Sequence, residues 1–403
     1  MRLMWGTVVE VIEQRAGCDE LSVELDGRAG SSRAILYPEL TGKASEGERV
    51  LLNTTALDLE LGTGGKHFVV ARAGENSPEG ISFEERMDPD EGHLMKLRYS
   101  PLQLNVLSVE AQESPYHKVM EYRESLEGIP VVCCGLHSQV PLVAATVKKL
   151  IPHAIVGYVM DDAGALALSL SSVLAQAVDK GLIDVTVSTG QSFGGQIEAI
   201  NLHSGLLAAA HVGACDVIIT AIGPGLAGTG TPFGHGGVAQ GEQINAVAVL
   251  GGRAVVCLRM SQADKRERHL GISHHTITAL SRIALAPATI AVPALPEDSA
   301  VREKVEEQLD ALPNFVGHGA FQLEEPVFDK AALRGIEVKT MGRGPDEDPL
   351  FFEAAAAAGA TAAAFAVRED PRDETDEGAG ATAPGCASKC ATKFDIMDLL
   401  EEE

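Results

Sequence analysis

The sequence predicts an α/β protein: a small N-terminal β-barrel, then a doubly wound, mostly parallel, Rossmann-like sheet domain, then a disordered acidic tail. Short β-rich runs fill the first 73 residues, and strand-like runs then alternate with helical patterns. Beyond Arg368 the chain becomes highly charged and poor in hydrophobic residues. The predicted units are the barrel 1–73, a linker and connecting helix 74–128, the sheet domain 129–365 and the tail 366–403.

Five runs with β-strand composition make up the predicted barrel. They are Thr7–Ile12, Leu21–Leu25, Arg33–Tyr37, Val50–Asn53 and His67–Ala71. Strands at this spacing are typical of SH3, OB or barrel-sandwich folds. Nucleic-acid-binding OB barrels need stacking aromatic residues and a basic groove, which this stretch lacks. We therefore expect a docking or oligomerisation module, and a homo-oligomer is one expected consequence.

A polar, acidic segment follows the barrel. Gly74 to Gly92 is predicted to be a linker, and Ser108 to Glu127 is predicted to be an acidic helix that leads into the second domain.

The second domain alternates strands with helices, which is the signature of parallel βαβ units. The predicted strands are Ile129–Cys134, Ala154–Met160, Ile183–Ser188, Val217–Ile222, Ala254–Met260 and Thr289–Val292. The predicted helices are Val140–Leu150, Ala163–Lys180, Gln196–His211, Val238–Leu250, His274–Ala284 and Ser299–Leu312. A run at Ile336–Met341 leads into a last helix, Pro349–Ala358. Eight regular units are not seen, so the sheet is predicted to be open rather than a closed barrel.

The composition of the chain limits the classes of partner that it is expected to bind and the compartment in which it is expected to work. The formal net charge of −25 argues against nucleic acid and against an anionic membrane surface. No apolar run is expected to reach the length of a membrane span. Seven cysteines in a chain of this length fit reduced thiols, so we expect a cytoplasmic protein.

The loop Gly223–Gly237 follows a buried, β-branched strand and consists largely of glycine, threonine and proline. In open α/β sheets, ligands bind beyond the carboxyl ends of the strands. Glycine-rich backbone can point N–H groups at an anion. The predicted ligand-binding residues are Gly223, Gly225, Gly228, Thr229, Gly230 and Thr231, together with Gln191, Asp161 and Asp162 at neighbouring strand ends. The predicted ligand is a small anionic metabolite that bears phosphate or carboxylate.

The same loop formally matches the G-x-G-x-x-G dinucleotide fingerprint. That fingerprint should open a helix at once, whereas Thr229–Pro232 intervenes here, and the strand is the fourth rather than the first. The sequence therefore argues against a nicotinamide cofactor.

Gly190–Gly194 matches the G-x-S-x-G nucleophile elbow between a strand and a helix, which makes Ser192 a candidate nucleophile. Asp264 with His269, His274 or His318 would complete the order serine, aspartate, histidine. No oxyanion loop follows the first strand of the domain, so a serine hydrolase is kept as an alternative.

Arg266–Thr276 is the densest polar cluster. Ser273 reads as a helix N-cap, which places His274 and His275 in the first turn, where the helix dipole favours neutral imidazole. His274, His275, His269 and Asp264 are the predicted acid–base residues. His269, His274 and His275 are also candidate ligands of a divalent metal, with His235, Asp264 or the pair Asp161-Asp162 completing a set, although their spacing matches no established ligand pattern.

Six motifs together resemble a family of bacterial proteins that is known only as a domain of unknown function. They are VLLNTTA (Val50–Ala56), LGTGG (Leu61–Gly65), KLRY (Lys96–Tyr99), GQSFGG (Gly190–Gly195), GPGLAGTGT (Gly223–Thr231) and RHLGISHHT (Arg268–Thr276). The resemblance covers residues 1 to about 365. It implies no activity, substrate or catalytic residue, and the tail with Cys386 and Cys390 looks like an addition.

These observations favour a cytoplasmic enzyme that acts on the small anionic metabolite. Hydrolase or transferase chemistry is favoured over oxidoreductase chemistry, and the class is not fixed further. The alternative from another class is a non-catalytic ligand-binding or scaffold protein.

Overall fold

The computed structural model describes residues 2–58, 65–74, 77–82, 92–98, 102, 104–295, 297, 300–312 and 316–367. The predicted barrel and mostly parallel sheet are both present, so the predicted fold class is confirmed. The predicted tail beyond residue 367 lies outside the described residues.

The N-terminal unit is a closed barrel. Its strands are β1 (Leu3–Arg15), β2 (Cys18–Leu25), β3 (Ser31–Leu36), β4 (Arg49–Asn53), β5 (Lys66–Gly74) and β6 (Ser77–Ser82), with short helices α1 (Pro38–Thr41) and α2 (Thr55–Asp58). The order is β3-β2-β1-β4-β5-β6, and pairing of β3 with β5 closes the barrel. Two bulges in β1 allow this long strand to bend between β4 and β2. Strand β6 lies within the predicted linker and instead extends the barrel sheet.

A short ribbon and one helical turn connect the two domains. Strands β7 (Leu94–Lys96) and β8 (Leu104–Val106) pair antiparallel, and α3 spans only His117–Tyr122. The prediction of a helix over Ser108–Glu127 is therefore wrong for most of that stretch. Pro115 disfavours helical geometry in the residue before it, and the Ser114 hydroxyl instead accepts the N–H of Tyr116 in a turn.

An eight-stranded sheet forms the core of the second domain. Its strands are β9 (Pro130–Cys134), β10 (Val156–Asp161), β11 (Val185–Ser188), β12 (Ile197–Glu198), β13 (Val217–Ile222), β14 (Arg253–Cys257), β17 (Thr289–Val292) and β18 (Gly319–Gln322), while β15 (Met260–Ser261) and β16 (Gly271–Ile272) form a separate antiparallel ribbon. The order is β12-β11-β10-β13-β9-β14-β17-β18, and neighbouring strands are parallel throughout. Every residue of β13 is buried, as expected of a parallel strand covered on both faces. Strands β12 and β18 are additions to the predicted set.

Helices cover both faces of the sheet. They are α4 (Val140–Leu150), α5 (Ser172–Asp179), α6 (Leu202–His211), α7 (Ala239–Val249), α8 (His274–Thr278), α9 (Ala300–Asp310) and α10 (Pro349–Val367). Helices α4, α5 and α10 share one hydrophobic cluster with the sheet, and α6, α7 and α9 share the other. Helices α5 and α6 begin later than predicted, at the N-caps Ser171 and Asn201. The predicted run Ile336–Met341 forms no strand.

Helix α10 corrects the expectation that no apolar run is long enough to span a membrane. By length and composition Pro349–Val367 is long and apolar enough, but 72% of its apolar window is buried inside the protein. It crosses α4 so closely that a Cβ at Gly359 would lie 2.7 Å from the Val143 carbonyl oxygen. This extent of burial is typical of a helix in the core of a protein.

Candidate functional site

A cleft of about 350 Å³ opens where β9, β13 and β14 end. These strands are neighbours in the sheet, with β9 in the middle. Most of the walls come from the loops after these strands and from the segment before α10, with Val173 of α5 added. The lining residues are Leu136–Ser138, Val173, Ile222, parts of Gly223–Gly230 and of Arg259–His275, and Val338–Met341. The cleft thus lies at the carboxyl edge that the sequence predicts, in the size range of small-molecule sites.

The walls of the cleft are basic although the chain is strongly acidic. Arg259, Arg266, Arg268 and Lys339 line it, and no aspartate or glutamate does so among the described residues. The whole chain has 57 acidic and 32 basic residues. A local excess of positive charge in such a chain indicates a site for an anion.

Arg259 is the most unusual of these basic residues. It is 8% exposed and forms no ion pair with a carboxylate in the described parts of the chain. Its guanidinium donates to Nδ1 of His275 at 2.9 Å, and burial lowers its pKa to about 10. By contrast, Arg266 is paired with Asp264 at 2.8 Å. Arg259 therefore presents a buried positive charge that no described carboxylate contacts directly.

Four histidines pack together beside Arg259. The ring centroids of His235 and His275 are 3.9 Å apart and nearly parallel, and His274 lies 4.4 Å from His275 and 5.0 Å from His269. Burial, the neighbouring rings and Arg259 lower the pKa of His275 to about 2. Burial and the nearby arginines lower the pKa of His269 to about 4. All four rings have lowered pKa values, so they are neutral at pH 7, in line with the prediction of neutral imidazoles.

Hydrogen bonds determine which ring nitrogens of this cluster donate, which accept and which have no partner among the described residues. Nε2 of His235 donates to the Pro232 carbonyl at 3.0 Å, which leaves Nδ1 as a buried acceptor without a partner among the described residues. Nε2 of His274 is likewise buried and unpartnered there. Nδ1 of His269 lies 2.8 Å from the Ser273 hydroxyl, which also accepts the N–H of His275 as the N-cap of α8. Ser273 is thus the predicted cap, and it also positions His269.

The glycine-rich loop forms the lip of the cleft. Gly223, Gly225, Gly228 and Gly230 line it as predicted. Beyond them residues 227–236 form a hairpin, in which Gly236 N–H donates to the Ala227 carbonyl at 2.9 Å.

Within that hairpin, the prediction that Thr229 and Thr231 assist anion binding is not supported. The two hydroxyls are 2.9 Å apart, and they also bond the backbone of Gly234. Their hydrogen bonds stabilise the hairpin instead.

The loops after β10 and β11 do not reach the cleft, in contrast to the prediction. Both oxygens of Asp162 accept backbone N–H groups, including that of Gln191 at 2.7 Å, so this carboxylate joins the two loops. Asp161 accepts from Gln243 at 3.1 Å, and burial raises its pKa to about 6. Gln191 accepts the N–H of Arg98 at 2.9 Å. These three polar residues stabilise loops rather than line the cleft.

Ser192 is not placed as a nucleophile. It is 1% exposed, and its hydroxyl partner is the Asp162 carboxylate at 3.4 Å, with no histidine partner in the described part of the chain. Its carbonyl oxygen accepts from Lys96 at 2.9 Å. The geometry therefore argues against the serine hydrolase alternative.

Asp264 is not placed as an acid–base residue either. Its carboxylate accepts two hydrogen bonds from the Arg266 side chain, at 2.9 and 2.8 Å. This pairing holds the pKa of Asp264 well below its usual range. Asp264 is therefore paired directly with Arg266, whereas buried Arg259 has no carboxylate bonded to it among the described residues.

Several residues that line the cleft are absent from the predicted site residues, among them His137, Arg259 and Lys339. His137 lines the cleft, and burial lowers its pKa to about 4. Arg259 follows directly on the apolar strand β14 and Leu258. An arginine at the carboxyl end of a buried strand is the signal that could have identified it.

A comparison with protein families places this cleft in a known group. The family model DUF3866, described as a protein of unknown function, matches residues 33–359. The chain belongs to the DUF3866 family. The matched region of this DUF3866 protein contains every residue of the cleft, and the resemblance inferred from the motifs is confirmed. Neither a curated protein nor a solved structure matches the chain.

Proposed function

We propose that the cleft binds a small metabolite bearing a phosphate or carboxylate group and that the protein is a cytoplasmic enzyme acting on it. The observation that carries this proposal is Arg259, a buried guanidinium that faces a cleft without acidic residues in its described walls and has no carboxylate partner there. A buried charge is expensive unless it is paired. An anionic ligand would supply the missing partner.

The other groups in the cleft suit the same ligand. Arg268 is exposed, Lys339 also lines the cleft, and the glycine backbone of the lip leaves room for close approach. His269 and His274 are neutral at pH 7, so either can accept a proton from a bound substrate. Acid–base chemistry beside a bound anion favours a hydrolase or a transferase over an oxidoreductase.

Isothermal titration of the full chain with inorganic phosphate and with malonate tests the binding step. We expect Arg259→Gln to weaken binding by about tenfold or more, because a hydrogen bond to a charged group contributes about 1.5–3 kcal/mol. Arg123→Gln is the control, since Arg123 is exposed, paired with Glu127 and not among the residues that line the cleft. No binding of either probe to the wild type, or equal binding to Arg259→Gln, would contradict the proposal.

The alternative function, a non-catalytic ligand-binding or scaffold protein, would use the same cleft. Native mass spectrometry can identify a metabolite that co-purifies with the chain, and incubation of that metabolite with the protein then decides between the two. Conversion that is lost in His274→Gln supports the enzyme. Retention of the ligand unchanged supports the binding protein.

A further inference from the structure

We propose that His235, His274 and His275 form a binding site for a divalent transition metal of the zinc class. One ring nitrogen from each of the three lies within 4.8 Å of the others. Imidazole nitrogens bind zinc at about 2.0–2.1 Å, so closing this set requires each ring to move by no more than a small side-chain adjustment. His269 was a candidate on sequence grounds, but His235 takes its place in this set.

His235 is prepared to be a ligand. Its Nε2–H donates to the Pro232 carbonyl, which fixes the tautomer and leaves the lone pair of Nδ1 free. Metal-bound histidines usually have their second ring nitrogen held in this way. His235 is 5% exposed and does not line the cleft, so its Nδ1 is buried behind the residues that do. A small ion between the histidines can contact it.

His274 and His275 complete the set from the cleft side. Both line the cleft, and Nε2 of His274 is a buried atom with no partner among the described residues. An ion held by these three rings would therefore keep an open coordination position toward the cleft, which is the arrangement of catalytic rather than structural zinc sites.

Arg259 must release His275 when the metal binds. A guanidinium can only donate, so its contact with Nδ1 requires an unprotonated Nδ1 and places the proton of the neutral ring on Nε2. Coordination through Nε2 would need the proton on Nδ1, and coordination through Nδ1 would displace the guanidinium. In either case Arg259 becomes free to bind an anion.

This coupling step rests on the proposed function, whereas the metal site itself does not. The anion would neutralise Arg259, which contacts His275 and whose positive charge opposes a metal ion there. Metal and anion should therefore strengthen each other's binding, by the same factor in both directions.

Titration of the chelator-treated full chain with Co²⁺ and Zn²⁺ tests the site. Because thiols also bind these ions, the protein carries Cys386→Ser and Cys390→Ser throughout. We expect one equivalent of Co²⁺ with visible d–d bands and without thiolate charge-transfer bands. His235→Gln and His274→Gln should each weaken binding by about tenfold or more. His153→Gln, at an exposed position, is the control and should bind as the parent protein does.

The outcomes separate the two proposals. Failure of the parent protein to bind Co²⁺, or equal binding to the His235 and His274 variants, overturns the metal site. The Co²⁺ spectrum of the parent protein tests the metal site by itself, so the test remains decisive even if a variant does not fold. Phosphate titrations with and without Zn²⁺ test the coupling, and an unchanged phosphate affinity overturns that step alone. Loss of phosphate binding in Arg259→Gln without any metal binding supports the anion site and refutes the metal site.

Discussion

Arg259 and Arg266 lie in the same cleft wall but are stabilised in opposite ways. Arg266 is held by two hydrogen bonds to Asp264. Arg259 is more deeply buried, and in the described part of the chain its guanidinium hydrogen-bonds the neutral ring of His275 rather than a carboxylate. Groups that a protein retains at the expense of stability are typical of functional sites.

We predict that Arg259→Met stabilises the ligand-free protein by about 1 kcal/mol, because a methionine of similar length removes an unpaired buried charge. The same change should abolish phosphate binding. Arg266→Met is the matched comparison and should lower stability, since it leaves the buried carboxylate of Asp264 without its main partner. Urea unfolding followed by circular dichroism measures both. A loss of stability in Arg259→Met would show that Arg259 has a structural role.

The lowered pKa of His137 predicts how the free energy of unfolding depends on pH. Burial lowers its pKa from 6.5 to about 4, so between these values the unfolded chain binds a proton that the folded chain does not. Stability should therefore decrease as the pH falls from 6.5 to 4. His137→Gln removes this contribution, and the melting temperature should fall less between pH 7 and pH 4.5. The exposed His153→Gln is the control. Identical pH profiles for all three proteins would contradict the inferred burial effect.

At the scale of elements, Gly225 and Gly228 in the lip of the cleft differ in backbone angle and in the atoms that surround them. Gly225 has φ +93°, in the region that favours glycine, and an added Cβ would meet no atom within 4 Å. Gly228 has no such backbone angle, and an added Cβ would lie 3.8 Å from the Cβ of His235 and from the ring of His275. Gly225 is thus required by its backbone angle, whereas Gly228 has room for a methyl group in ordinary contact.

We predict that Gly225→Ala lowers stability by about 1–2 kcal/mol through backbone strain and weakens phosphate binding by moving the lip. Gly228→Ala should change stability by less than about 0.5 kcal/mol, because a methyl group fits in ordinary contact. Gly228→Val should displace His275 and reduce binding. Differential scanning calorimetry and phosphate titration of the three variants test this ordering, and equal effects of the two alanine changes would contradict it.

The strands were the most predictable elements, and the polar contacts were the least. Strand β13 has the bounds read from its apolar run, because a parallel strand buried on both faces leaves a continuous hydrophobic signal. The carboxyl-edge rule then located the cleft. The sequence could not show that Asp162 and Asp264 would be occupied by other protein groups, since those partners depend on how the loops fold. For the same reason it could not show that the hairpin stacks His235 on His275.

At the scale of the whole molecule, the barrel is docked onto the loops that follow β10 and β11. Tyr37 of the barrel packs edge-on against Phe193, with ring centroids 6.1 Å apart. The Ser169 hydroxyl donates to the Gly17 carbonyl at 3.0 Å. The loops that were expected to bind ligand therefore hold the barrel instead.

We predict that Phe193→Ala costs about 3–5 kcal/mol, because this ring is 2% exposed. It should also divide unfolding into two transitions, one for each domain, in a calorimetric scan. Phe233→Ala, at a position that is 56% exposed, is the control and should leave a single transition unchanged. A single transition in Phe193→Ala would show that the two domains unfold as one unit without this contact.

The basic cleft in an acidic molecule also has a kinetic consequence. An approaching anion is repelled by the net charge of −25 until it comes close enough for the local arginines to dominate. Salt screens charges that lie farther apart than the Debye length, about 8 Å at physiological ionic strength, and so weakens the distant repulsion first. The association rate constant of an anionic ligand should therefore rise with moderate salt, which stopped-flow measurements can detect. Association that is steered by opposite charges slows down under the same conditions. A ligand of this protein would instead bind faster at higher ionic strength.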